Sequence, residues 1–259
     1  MNINSNTDVN AYITANELNK VIDFSADSSY KPKASDTISG ALTIPFPPEK
    51  KDLVRLHSLI RTRKPFTVLE FGVGYSTAII ADALYKNKLE WEKKTNRPEI
   101  RNRFMFNLFS VDSSKQWIQN TKKLLPKHLQ QLVTFHFSKV SIGTYRDQLC
   151  HYYDTLPDIV PDFVYLDAPD AKSVSGTHHG LSFACDERTV LAGDILLMES
   201  TFLPGAFVLI DGRTNNARFL ARNLQRKFKC FWDKESDITT LELDEDRLGP
   251  HNIWENDFF

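Results

Sequence analysis

At 259 residues the chain is long enough to bury a substantial core, and one α/β domain with decorations accounts for it. A net charge of −1 gives no electrostatic reason to expect nucleic acid or an acidic membrane as partner, and no apolar run is long enough to span a bilayer. The three cysteines (Cys150, Cys185 and Cys230) are widely spaced and odd in number, which argues against a disulfide framework or a zinc knuckle and fits a reducing cytoplasm.

Residues 1–48 form a lead-in, rich in Asn, Ser, Asp and Lys up to about residue 40, with a short helix expected around 15–22. No basic start followed by an apolar stretch marks a signal peptide. Thr43-Ile-Pro-Phe-Pro-Pro48 mixes apolar residues with rigid prolines and reads as a linker, or as a strap across the mouth of a site. From 49 to 61, Leu53, Leu56, Leu59 and Ile60 recur at helical spacing and predict a helix that covers a sheet.

The stretch Thr67-Val-Leu-Glu-Phe-Gly-Val-Gly-Tyr-Ser-Thr77 predicts a buried strand, a glycine turn and a helix carrying Ile79, Ile80 and Leu84 inward. Such a turn lets backbone N–H groups approach a ligand closely, because glycine has no Cβ. Thr77 stands where a dinucleotide fingerprint needs its third glycine, and the Gly-Lys-Ser/Thr ending of a phosphate-cradling P-loop is absent. Residues 86–103 are dense in charge of both signs and read as a solvated, helical insertion.

A strand at 105–111 ends on Asp112, and a helix follows at 114–125. An acidic residue in that position suits the hydroxyls of a ribose. A strand is expected at 132–137, a helix at 146–153 and a buried strand at 163–166 that ends on Asp167. The loop behind it, residues 171–183, holds His178 and His179, and imidazole titrates near neutrality, as a general base requires. Residues 188–202 predict a helix, Pro204-Gly205 a turn, and Phe207–Ile210 a strand running into Asp211-Gly212-Arg213. A helix at 216–227 and a closing hairpin at 229–232 and 238–243 complete the domain at 243, leaving a tail at 244–259 with Trp254 and Phe258-Phe259 suited to docking on the body or on a neighbouring subunit of a homo-oligomer.

The pattern Glu70-x-Gly72-x-Gly74-x-Ser76-Thr77 resembles the first motif of class I S-adenosylmethionine (SAM) dependent methyltransferases, and the helix–Leu203-Pro-Gly–strand arrangement resembles their fifth strand. The resemblance covers roughly residues 50–243 and is nearest to small-molecule O-methyltransferases. It implies a Rossmann-like α/β fold, with a seven-stranded, mostly parallel sheet, an antiparallel last strand and helices on both faces. It also implies SAM lying across the strand C-termini, its methionine end at Glu70, Gly72 and Gly74, with Tyr75 and Ser76 on the cofactor side and the ribose at Asp112 beside Ser113. Asp167 would border the cofactor and, with His178 or His179, serve transfer to an oxygen or nitrogen of a small-molecule or glycan acceptor. Ser138 stands where the adenine would lie.

In the metal-dependent, catechol-type branch, an Asp after the fourth strand and an Asp-Asn pair after the fifth bind a divalent cation. Asp167 and Asp211 match, but Gly212 replaces the Asn, so a metal is not favoured, and Asn215 or Asn216 are left as substitutes. Methylation of DNA bases is not expected, since Asp167-Ala-Pro-Asp170 lacks the Pro-Pro-aromatic signature. A non-catalytic, SAM-binding or scaffolding domain is the alternative from a different function class.

Overall fold

The computed structural model describes residues 8–25, 37–38, 41–42, 47–97 and 100–247. The proline segment is therefore described only at Pro47 and Pro48, and the aromatic end of the tail lies outside the described residues. The lead-in contributes α1 (Val9–Ala15), capped by the Asp8 carboxylate, and a short antiparallel pair, β1 (Thr37–Ile38) with β2 (Ala41–Leu42). Of the helix expected at 15–22, the structure has a 3-10 turn at Leu18–Lys20, and the α-helix itself lies before it, where Asp8 supplies the cap.

α2 (Lys50–Arg63) buries Leu53, Leu56, Leu59 and Ile60 and stops at Lys64, which is left-handed. β3 (Thr67–Phe71) is buried at every position, as a central parallel strand covered on both faces must be. α3 (Tyr75–Glu92) follows the glycine turn. Its charged end is not merely solvated: Glu90 receives both Arg61 and Lys64 from the end of α2, and Lys86 reaches Asp82. Beyond Lys93 the described part of the insertion is irregular rather than helical, so the helix covers only its first part.

β4 (Asn107–Asp112), α4 (Lys115–Leu124, capped by the Ser114 hydroxyl) and β5 (Val133–Phe137) lie within a few residues of their expected places, and a short helix not foreseen in the sequence, α5 (Lys127–Gln130), joins the last two. The next segment does not. Residues 146–153, expected as a helix, form the second arm of a hairpin, β6 (Val140–Tyr145) with β7 (Gln148–Tyr153). Arg146 and Asp147 both have positive φ, which makes the two-residue turn whose twist matches a hairpin. Gly143 lies against the Tyr152 ring, where a Cβ would come to 2.9 Å.

β8 (Phe163–Leu166) is followed by a 3-10 turn at Ala171–Ser173 and by β9 (Val174–Ser175), which adds a parallel strand to β6. α6 (Asp194–Met198) is much shorter than the helix expected at 188–202. Its lead-in is extended because it is bound edge-on to β7: His151 N–H donates to Leu191 O and Gly193 N–H to His151 O. β10 (Phe207–Asp211), α7 (Thr214–Asn223), β11 (Phe228–Asp233) and β12 (Ile238–Leu243) end the domain.

The main sheet has seven strands in the order β11-β12-β10-β8-β3-β4-β5. Five run parallel, and β12 lies antiparallel between β10 and β11. Strand alternation divides the core in two. Val68, Leu108, Phe163 and Leu209 face α1, α2, α3 and α5. Leu69, Val111, Val164 and Val208 face the β6–β7 hairpin, α6 and α7. At the N-terminal edge, Asp162 accepts from the N–H groups of Phe66 and Thr67, which fastens β8 to β3.

Candidate functional site

Register places the polar strand ends side by side. Val111, Phe71, Leu166 and Ile210 form one row across the parallel strands, so the next residues along, Asp112, Gly72, Asp167 and Asp211, share the C-terminal edge of the sheet. That edge is where open α/β sheets bind ligands.

The glycine turn is set by two residues with different jobs. Gly72 has φ +95, and a Cβ there would lie 2.9 Å from Ala168 Cβ, so no other residue fits the turn. Gly74 is extended, with nothing within 4 Å of where its Cβ would be. The Glu70 carboxylate does not face this opening. It is fully buried and accepts from Ser76 Oγ at 2.6 Å, Thr77 Oγ1 at 2.7 Å and Ser110 Oγ at 2.7 Å. Burial pushes its pKa up to about 7, against the lowering effect of the three hydroxyls. Glu70 therefore fastens the start of α3 to β3 and β4, and leaves backbone as the exposed surface of the turn.

Asp112 secures the same turn from the neighbouring strand. Its Oδ2 accepts from Val73 N–H at 3.0 Å and its Oδ1 from Ser114 N–H at 2.6 Å. Burial raises its pKa, with the backbone N–H groups opposing. Ser113 Oγ donates to Ser173 Oγ at 3.2 Å and so joins this edge to the segment after β8. Tyr75 packs half-buried on the helical side of the core. Ser138 is buried: its hydroxyl donates to Lys139 O and accepts from Thr155 N–H.

Asp167 is the open carboxylate of the row, with 54% of its side chain exposed and Arg213 Nε 3.6 Å from Oδ1. Arg213 also donates to Asp167 O at 2.6 Å and to Pro169 O at 3.1 Å, so it props the strand end as well as balancing its charge. Desolvation by the surrounding protein raises the Asp167 pKa to about 6, Arg213 pulling down and Asp211 pushing up. With half the side chain in water, solvent screens much of that effect.

Asp211 accepts from Tyr165 OH at 2.7 Å, and Arg55 stands 3.8 Å away. Of the asparagines left as substitutes, Asn216 Oδ1 accepts from Ala192 N–H, and Asn215 donates through Nδ2 to Thr189 Oγ1. Among the described residues no group of three or more His, Cys, Asp or Glu could hold a metal ion.

His178 and His179 occupy an exposed tight turn in which His178 and Leu181 exchange backbone hydrogen bonds and His179 has positive φ. Their rings meet edge to face at 4.6 Å, and no side-chain bond to a third group is seen among the described residues. The fold therefore brings Glu70, Ser76, Asp112 and the glycines together, sets Asp167 beside them, and keeps the two imidazoles on their own turn.

Reading 146–153 as a helix hid one cluster. On β7, His151 and Tyr153 both point inward, Tyr153 stacking on Phe71 at 5.3 Å, directly before the glycine turn. Tyr153 N–H donates to Asp194 Oδ1, and burial drives His151 down to about 3 and Asp194 up to about 7. His151 is thus a neutral imidazole in the hairpin face of the core. Arg213 was equally unmarked, visible only as the last residue of Asp-Gly-Arg.

Five parallel strands with the terminal strand inserted antiparallel one place from the edge is a distinctive order. It is the Rossmann-like methyltransferase fold expected from the sequence. No protein-family model and no curated protein matches the chain. Among solved structures, the chain is similar to the O-methyltransferase TomG of Streptomyces achromogenes, in complex with SAM, at 17% identity over 77% of this chain and 82% of that one, TM-score 0.42. It is also similar to the S-adenosylhomocysteine-bound methyltransferase PaMTH1 of Podospora anserina, at 14% identity over 76% and 80%, TM-score 0.45. A third is the O-methyltransferase of Bacillus cereus, in complex with S-adenosylhomocysteine, at 11% identity over 90% of each chain, TM-score 0.40. At such identities the methyltransferase fold rests on the strand order of the chain itself.

Proposed function

We propose that the chain is a SAM-dependent methyltransferase that acts on an oxygen or nitrogen of a small-molecule or glycan acceptor. The observation that carries this reading is the row at the sheet edge: a backbone-lined glycine turn, the start of an 18-residue helix, and Asp112 and Asp167 on the flanking strands. The turn at 72–76 would take the methionine end, with N–H groups at the helix start suited to its carboxylate. The Asp112 carboxylate would accept from the ribose hydroxyls while keeping its bonds to Val73 and Ser114. When bound, SAM supplies an activated methyl group on a sulfonium.

The protein's part is then positioning, since transfer breaks the carbon–sulfur bond, forms a bond to the acceptor and releases the acceptor's proton. Asp167, open at the next strand end and held by Arg213, is proposed as the acceptor-side group.

Titration calorimetry with S-adenosylhomocysteine tests the reading. Gly74→Val is the decisive variant, because its backbone is extended and a Cβ there would meet no protein atom within 4 Å, so the added side chain stands in the ligand's proposed path. Saturable binding by the wild type and its loss in a folded Gly74→Val protein are expected. Equal affinity in the two would remove the assignment.

A further inference from the structure

A second concavity, of about 450 Å³, opens between the outer face of α7 and the segment that leads to α6. Arg218 and Arg222 stand one helical turn apart on α7, and Arg188, on the segment that leads to α6, lines the same concavity. Among the described residues none of these three guanidiniums stands in an ion pair; Arg188 donates to Ser182 O, and Arg222 Nε donates to Arg218 O. One carboxylate, Glu187, shares the rim, where it accepts from the Cys185 thiol. Asn215 and Thr189 supply neutral polar groups, and Leu191 and Phe219 an apolar floor.

Three cations against the one carboxylate of Glu187 leave a net positive charge in the concavity, which an entering anion would offset. Guanidinium forks on two segments match the several oxygens of a phosphoryl group better than the two of a carboxylate. The volume exceeds what a bare phosphate fills and lies in the range of small-molecule sites. The apolar floor suits the organic part of an ester. We propose that this concavity is a binding site for a phosphorylated small molecule, its phosphoryl group held by Arg188, Arg218 and Arg222. The proposal stands apart from the cofactor reading. Position connects the two sites, because Asn215 lies two residues beyond Arg213, the side chain that holds Asp167 O.

The test is calorimetric titration of the full chain with inorganic phosphate, phenyl phosphate and acetate at constant ionic strength. Saturable binding of both phosphates, with phenyl phosphate at least as tight and acetate weaker, is expected. The Arg218→Gln/Arg222→Gln variant should lose roughly tenfold or more in phosphate affinity, as removing charge-assisted contacts does. Both residues are exposed, and circular dichroism verifies the fold. The Lys227→Gln/Lys229→Gln variant removes the same charge elsewhere and should bind phosphate as the wild type does. Absence of saturable binding, equal binding by the arginine variant, equal loss in the lysine variant, or binding of phosphate without its ester would each overturn the proposal. S-Adenosylhomocysteine titrated in parallel keeps the outcomes separate: its binding is expected to survive in the arginine variant, and its failure would strike the methyltransferase reading alone.

Discussion

Replacing Glu70 with Gln should change how stability depends on pH. In the folded chain the Glu70 carboxyl holds its proton up to about 7, whereas an ordinary glutamate releases it near 4.5. Between those values the folded state binds more protons than the unfolded state, so stability falls as pH rises. At about 1.4 kcal/mol per pH unit, the interval amounts to about 3 kcal/mol. Asp162 (about 6) and Asp194 (about 7) are raised in the same sense, so the wild-type curve sums several groups. The difference between Glu70→Gln and wild type isolates one. Urea unfolding followed by tryptophan fluorescence at pH 5, 6, 7 and 8 should show the variant gaining on the wild type by about 2.5 kcal/mol across the series, most of that interval. Parallel curves would show that the three hydroxyls stabilise the carboxylate as well as water does, and the account in which burial outweighs them would fail.

Gly72→Ala should cost at least about 2 kcal/mol in the same assay, since a Cβ at positive φ would also meet Ala168 at 2.9 Å; an unchanged midpoint refutes it. Asp162→Ala should destabilise by about 2–4 kcal/mol, because it strands two buried N–H groups; a loss below about 1 kcal/mol would mean other acceptors take them. Asp112→Ala should weaken S-adenosylhomocysteine binding by roughly tenfold or more in calorimetry, since it loses a charged acceptor and frees Val73; unchanged affinity would remove Asp112 from the site. The His178→Ala/His179→Ala double variant should keep its stability within about 0.5 kcal/mol, as the side chains contact chiefly each other. A fall of roughly 10²–10⁴ in turnover with stability intact would assign an acceptor base to that turn.

Those elements whose pattern is dictated by burial were legible in the sequence. Phe163–Leu166 falls where its apolar run places it, because a strand buried on both faces leaves a continuous signal, and Ile238–Leu243, with Thr and Glu among its apolar residues, falls where the polar turn before it places the second arm of a hairpin. The β6–β7 hairpin was illegible for a reason of turn chemistry: Arg146-Asp147 takes positive φ without the Asn-Gly or Asp-Gly pair that announces it. That miss concealed His151 and Tyr153 as inward neighbours. The residues at 188–193 had helical composition, but the edge of β7 captured their backbone. Glu70 was found by position and misjudged by orientation, since three hydroxyls scattered over residues 76, 77 and 110 claim it only once the chain has folded.

The placing of β12 has a consequence for how the chain is made. A ribosome delivers β10 and β11 before β12, yet β12 lies between them and pairs with both. Until Leu243 has emerged, β10 presents an unpaired edge on that side and β11 has no partner in the sheet. The nascent chain must therefore hold the β10 edge of its sheet open until β12 has been made, and a ribosome stalled before residue 238 would release a product with a bare, apolar β10 edge.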